Sequence, residues 1–134
     1  MKKFPRAAIK IDFGTEVRLG PGKVRLLELI AETGSISAAA RQMEMSYRRA
    51  WLLIDDMNQC FRDAVVSARP GGSQGGGAVL TKFGAGLVRD YRAIETAAEV
   101  AAKKRLRGLE AALRKSNAIK SAEPKKTSIR RRNP

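Results

Sequence analysis

The stretch GSISAAARQMEMSYRRAWLLIDDMNQCF, residues 34–61, decides how this chain is read. Ser35 and Ser37 are competing N-caps for a short helix ending near Met43, and Ser46 caps a second helix running to about Phe61. Along the second helix Ala50, Leu53, Ile54, Met57 and Phe61 recur on one side, while Arg48, Arg49, Leu52 and Asp56 fall on the other. Ala38, Ala39 and Ala40 let the first helix cross close over the second. Two helices joined by a tight turn, the second opening on Tyr47-Arg48-Arg49, match a helix–turn–helix whose first turns offer donors to base edges. A guanidinium pairs bidentately with guanine. Arginines at a helix N-terminus also oppose the macrodipole, a mild penalty that a phosphate or base would offset. An ordinary helical hairpin with a solvated basic turn fits the same spacing.

Working outward, residues 9–19 alternate Ile9, Ile11 and Phe13 against Lys10, Asp12 and Gly14, the period of a half-buried strand. Pro21 suits a helix entrance. Residues 23–33 then put Val24, Leu27, Ile30 and Ala31 on one helical face, widened by Leu26 and Leu29, and Gly34 stands where a C-cap wants glycine. On the other side, residues 64–69 and 78–81 are short strand-like runs around PGGSQGGG, which places five glycines within eight residues at the tip of a β-hairpin. Thr81 can cap a long helix from about Lys82. Leu80, Gly84, Leu87, Tyr91, Ile94, Ala98 and Ala101 recur at alternating spacings of three and four, then the frame slips by one to Ala102, Leu106, Leu109 and Leu113. One small domain cannot cover so long a stripe, which implies a second chain. After Lys115 the apolar residues thin out, and residues 115–134 are expected to be a disordered basic tail.

The 134 residues carry 27 Lys+Arg against 13 Asp+Glu, a formal net charge of +14, which favours a polyanionic partner. The charge is uneven. Residues 103–134 hold 12 basic and 2 acidic side chains, net +10, leaving +4 for residues 1–102. A single cysteine, Cys60, excludes an intrachain disulfide and suits a reducing cytoplasm. No apolar run approaches the roughly 20 residues of a membrane span, so the chain is expected to be cytoplasmic and nucleoid-associated, without a membrane partner.

Catalysis finds little to work with. Histidine, the commonest general base, is missing from the sequence. Asp55 and Asp56 are helix neighbours that do not face each other, and with Asp63 they are expected to be solvated or paired with arginines. Cys60 beside Phe61 reads as packing. No catalytic residue, metal ligand or cofactor is expected. The glycine run lacks the Lys-Ser/Thr pair of a phosphate-binding loop and joins two strands instead of opening a helix. Trp51, one turn after Tyr47, could stack on bases, but aromatics at helical spacing are more often packing, and the pair is assigned to the core.

Taken together, GSISAAARQM, MSYRRAW followed by DDMN, GGSQGGGAVLT and FGAGLVRDYRAIE resemble the N-terminal DNA-binding domain of the ModE family of molybdate-responsive regulators, over roughly residues 9–100. The resemblance implies a mainly α fold with a small β component: a winged helix–turn–helix of the LysR type over residues 1–80, and a long dimerisation helix over 81–114. It also implies a homodimer on double-stranded DNA, with Ser46, Tyr47, Arg48 and Arg49 opening the recognition helix and Gly71 to Gly77 forming the wing. With the flanking polar residues, the candidate DNA contacts are Ser35, Ser37, Ser46, Tyr47, Arg48, Arg49, Arg69, Ser73, Gln74 and Lys82. The candidate dimer seam is Leu27, Leu87, Tyr91, Ile94, Ala98 and Ala101. Glu44 stands where the family usually has glycine in the interhelical turn. The family continues into molybdate-binding domains, whereas a basic stretch follows here, so direct molybdate binding is not expected. The expected function is sequence-specific transcriptional regulation, linked to molybdenum transport or metabolism. The alternatives are a nucleoid-type architectural protein with little sequence preference, or an adaptor that heterodimerises with a full-length relative.

Overall fold

Local capping chemistry sets most element boundaries, in a computed structural model that describes residues 4–69 and 77–114. The order is β1 (Ile11–Asp12), β2 (Arg18–Leu19), α1 (Pro21–Thr33), α2 (Ile36–Gln42), α3 (Tyr47–Cys60), β3 (Val66–Arg69), β4 (Gly77–Leu80) and α4 (Lys82–Ala111). The chain is mainly helical, with two small antiparallel sheets and a long C-terminal helix. Gly34 ends α1 in the left-handed region, φ 73°, its N–H donating to the Ile30 carbonyl at 2.8 Å. Of the two competing serines, Ser35 caps α2, accepting from the Ala38 N–H at 3.0 Å. Ser46 caps α3 through the Arg49 N–H at 3.0 Å, and Thr81 caps α4 through the Gly84 N–H at 2.8 Å. Such caps satisfy N–H groups that the first helical turn leaves without partners.

One expectation changes shape. Residues 9–19 form not one strand but a hairpin, pairing Ile11 with Leu19 and Asp12 with Arg18. Asp12 Oδ1 accepts from the Gly14 N–H at 2.8 Å, and Gly14 takes φ 81°, so the chain reverses where glycine is least strained.

The core gathers Leu19, Val24, Leu26, Leu27, Leu29 and Ile30 with Ala39, Ala40, Ala50, Ile54 and Met57, and continues to Val65, Val66, Ala78 and Tyr91. Leu26 and Leu29 are as deeply buried as the predicted stripe of α1, and Ala31 is exposed. Three devices attach the β3–β4 hairpin to the helices. The Ala78 N–H donates to the Gly34 carbonyl at 2.9 Å, tying β4 to the end of α1. Asn58 Oδ1 accepts from the Val65 N–H at 2.7 Å and the Val66 N–H at 3.3 Å, while its Nδ2 donates to the Val66 carbonyl at 3.3 Å. Finally, α4 starts so close to the hairpin that a Cβ on Gly84 would lie 2.1 Å from the Val65 carbonyl oxygen. Only glycine fits there.

The α1–α4 junction is fixed by polar contacts. Arg92 donates from Nε to Glu28 Oε2 at 2.9 Å and from its second terminal nitrogen to Glu28 Oε1 at 3.0 Å, and it also holds Glu95 at 2.7 Å. The hydrogen bonds that Arg92 donates to Glu28 hold the Glu28 carboxyl below its ordinary pKa, and the same bonds push the Arg92 guanidinium up. From end to end α4 runs 30 residues, about 45 Å at about 1.5 Å per residue, and it continues well beyond the junction to Ala111. No helix among the described residues is long and apolar enough to cross a membrane.

Candidate nucleic-acid interface

The four-residue turn between α2 and α3 is shaped by hydrogen bonds from Met43 to the Ala39 and Ala40 carbonyls at 3.1 Å each, and from Met45 to Ala40 at 3.0 Å. Glu44 takes φ 57° in this turn, the left-handed position where the sequence lacks the usual glycine. A non-glycine residue there costs about 1 kcal/mol. The turn delivers α3 with Ala50, Ile54 and Met57 buried, and with Tyr47, Arg48, Arg49, Trp51 and Leu52 exposed. That α3 buries one side and shows the other is as its spacing implies.

The aromatic pair is a correction. Tyr47 is 55% and Trp51 46% exposed, so neither belongs to the core. Their i, i+4 spacing places them on one face, but that face turns toward the hairpin. With Ile54 and Asn58 they line one wall of an open groove of about 310 Å³, opposite Ser67 and Ala68 of β3. Ser35, Ile36 and Ser37 close its end. A second, shallower depression lies between Tyr47, Arg48 and Trp51.

Four cations surround this face. Arg48 and Arg49 lie in the first turn of α3, Arg41 late in α2, and Arg69 at the end of β3. Among the described residues none of them forms a salt bridge, whereas Arg18, Arg25 and Arg92 all do. Arg41 donates to Ser37 Oγ at 3.4 Å, and Arg69 lies across Gly34, where a Cβ would come 2.8 Å from a guanidinium nitrogen. The first turn of α3 carries no acidic residue. Asp55 accepts from Gln59 at 2.9 Å, and no arginine pairs with Asp55, Asp56 or Asp63 among the described residues.

The structure therefore brings Ser35, Ser37, Ser46, Tyr47, Arg48, Arg49 and Arg69 to the α2–α3–hairpin side. Ser35 and Ser46 are already engaged as caps. Lys82 is exposed at the start of α4. Ser73, Gln74 and the glycines at positions 71–76 lie outside the described residues, as do residues 115–134. Of the candidate seam, Leu27 is fully buried and Tyr91 is 1% exposed, its hydroxyl donating to the Ile9 carbonyl at 2.8 Å. Both are core of the protomer itself and offer no surface to a partner. Leu87 and Ala98 are half-buried, Ala101 is exposed, and Ile94 is 48% exposed. Asn58 and Gly84, which fix the hairpin against α3 and α4, carry no sequence signal of that role. Among the described residues no cluster of three or more His, Cys, Asp or Glu is placed to hold a metal ion.

No family model matches the chain. It is 51% identical over 81 residues to the molybdenum-pterin-binding protein MopB of Rhodobacter capsulatus, covering 60% of this chain and 30% of that protein. Against the molybdenum transport protein ModE of Azotobacter vinelandii, identity is 42% over 90 residues, 67% of this chain and 33% of the relative. The DNA-binding transcriptional dual regulator ModE of Escherichia coli is 44% identical over 71 residues, 53% of this chain and 27% of the relative. The match thus spans about a third of the length of these relatives. Their names describe regulators, transport and molybdenum binding, and the expectation that this chain does not bind molybdate directly finds no support in them. Over about 60% of its length, the chain is a relative of the ModE regulators and the Mop molybdenum-pterin-binding proteins.

Proposed function

We propose that the chain is a sequence-specific DNA-binding regulator, in which α2 and α3 act as a helix–turn–helix and the β3–β4 hairpin as its wing. The observation that carries this reading is the first turn of α3: Arg48 and Arg49 stand exposed and without an acidic partner among the described residues, on a helix whose back is buried in the core. A helix held this way enters the major groove with its N-terminal donors toward the base edges. The relative named a DNA-binding transcriptional dual regulator supports the same reading, and the molybdenum-related names of the others support target genes serving molybdenum uptake or use. The decisive experiment is selection of bound duplexes from a random pool by the full chain. Enrichment of one short motif is expected; recovery of unenriched DNA would favour sequence-independent coating instead.

The proposal includes a homodimer joined along α4. Its support is apolar surface that the protomer leaves uncovered: Ile94 is 48%, Val100 70%, Leu109 64% and Leu113 49% exposed. A dimer would present two copies of α3 to two half-sites about one helical turn apart. Ile94→Asp is expected to shift the mass in analytical ultracentrifugation from two chains to one; an unchanged mass removes Ile94 from the interface. Residues 115–134 would add phosphate contacts whose strength falls steeply with salt.

A further inference from the structure

We propose that Tyr47 and Trp51 read the 5-methyl groups of thymines next to the bases reached by Arg48, an inference that rests on the DNA-binding reading of α3. Two large aromatic side chains stand half exposed, four residues apart, at the start of that helix. They are not scattered surface residues, because together they form one wall of the groove between α3 and the hairpin. No charged side chain lines that groove: Tyr47, Trp51, Ile54 and Asn58 face Ser67 and Ala68, so the two rings supply its largest apolar surfaces. The cations stand around it, with Arg48 beside the aromatics and Arg41 and Arg69 near the α2 end, all without an acidic partner among the described residues.

Exposed aromatic rings bordered by arginines that have no acidic partner among the described residues suit a polyanion that also presents apolar groups. In the major groove of duplex DNA that apolar group is the thymine methyl, since the other base-edge features are hydrogen-bond donors and acceptors. Stacked bases hide their faces from the groove. An aromatic side chain on an entering helix therefore meets the edge of the stack, where the methyl projects. Burying a methyl-sized group contributes about a fourfold change in affinity, enough to distinguish thymine from cytosine or uracil at one position.

The test uses the full chain and the duplex recovered from selection, with each thymine replaced in turn by deoxyuridine. That exchange removes only the methyl and keeps every hydrogen-bonding group. Affinity is expected to fall about fourfold at one or two positions per half-site and to stay unchanged elsewhere. In Trp51→Ala or Tyr47→Ala, thymine and deoxyuridine at those positions are expected to bind equally, with thermal melting confirming that the variants fold. Equal affinity at every position for the wild-type chain overturns the inference, and so does discrimination that survives both variants. Those outcomes leave the DNA-binding reading standing. A chain that selects no duplex at all overturns both.

Discussion

Two arginine neighbourhoods of this small fold, one at the α1–α4 junction and one in the first turn of α3, are built differently. At the α1–α4 junction Arg92 is gripped by Glu28 at 2.9 and 3.0 Å and by Glu95 at 2.7 Å, beside the buried ring of Tyr91. In the first turn of α3, Arg48 and Arg49 have no salt bridge to a described residue, and the aromatic rings beside them are half exposed. In the first neighbourhood the charge is consumed by the fold; in the second no acidic group among the described residues takes it up. The same residue type thus does structural work where acids are within reach and stays available for binding where they are not, and counting arginines does not separate the two.

The frame that holds these neighbourhoods apart is the most easily broken part. Gly84→Ala would put a methyl 2.1 Å from the Val65 carbonyl oxygen, and neither backbone can yield without moving the hairpin or α4. Overpacking of this kind costs about 3 kcal/mol or more, despite the better helix propensity of alanine. A large fall in melting temperature is the expected readout, and a melting temperature equal to wild type would show that α4 sits farther from Val65.

Next in size, Glu28→Gln would separate the two arginine sites by their consequences. Stability is expected to fall by about 1–2 kcal/mol through loss of charge-assisted hydrogen bonds, with DNA affinity unchanged per folded molecule. The pH dependence follows from the depressed Glu28 pKa. Its contribution is complete above the ordinary value of 4.5 and is lost as the pH falls through the lower folded value. Acid unfolding below that point is expected to be shallower in Glu28→Gln than in wild type. Identical acid transitions would assign the loss to other carboxylates.

The smallest effect concerns the turn that aims α3. Glu44→Gly would relieve the left-handed strain at φ 57°, but glycine also gains unfolded-state entropy. The net change in stability is expected to stay within about 1 kcal/mol. Removing the carboxylate from the binding side is expected to raise DNA affinity. Lower affinity would mean that Glu44 itself contributes to recognition.

The sequence made one of these neighbourhoods legible and left the other almost hidden. Capping is local chemistry, so Gly34, Ser46 and Thr81 were readable, and so were the exposed arginines of α3. The Arg92–Glu28 pair joins residues 64 positions apart, and nothing along the chain announces it. Asn58 and Gly84 escape for the same reason, because each owes its role to the backbone of Val65. Periodicity also says which residues share a face without saying what the face meets. Helical spacing therefore suggests a core position for Tyr47 and Trp51, which are half exposed, and a seam between chains for Leu27 and Tyr91, which are interior to one. The hairpin at residues 9–19 looks like one strand in sequence because alternation survives a turn when Gly14 supplies it.

The proposed function stands or falls on whether Arg48 and Arg49, which have no acidic partner among the described residues, read bases. It is tested by measuring the affinity of Arg48→Ala and Arg49→Ala for the selected duplex and for random duplex, side by side at one salt concentration. A loss of about 1–3 kcal/mol is expected on the selected sequence and a much smaller one on random DNA, so that preference relaxes. Equal losses on both would make these arginines phosphate contacts only, and unchanged binding to both would place the interface elsewhere.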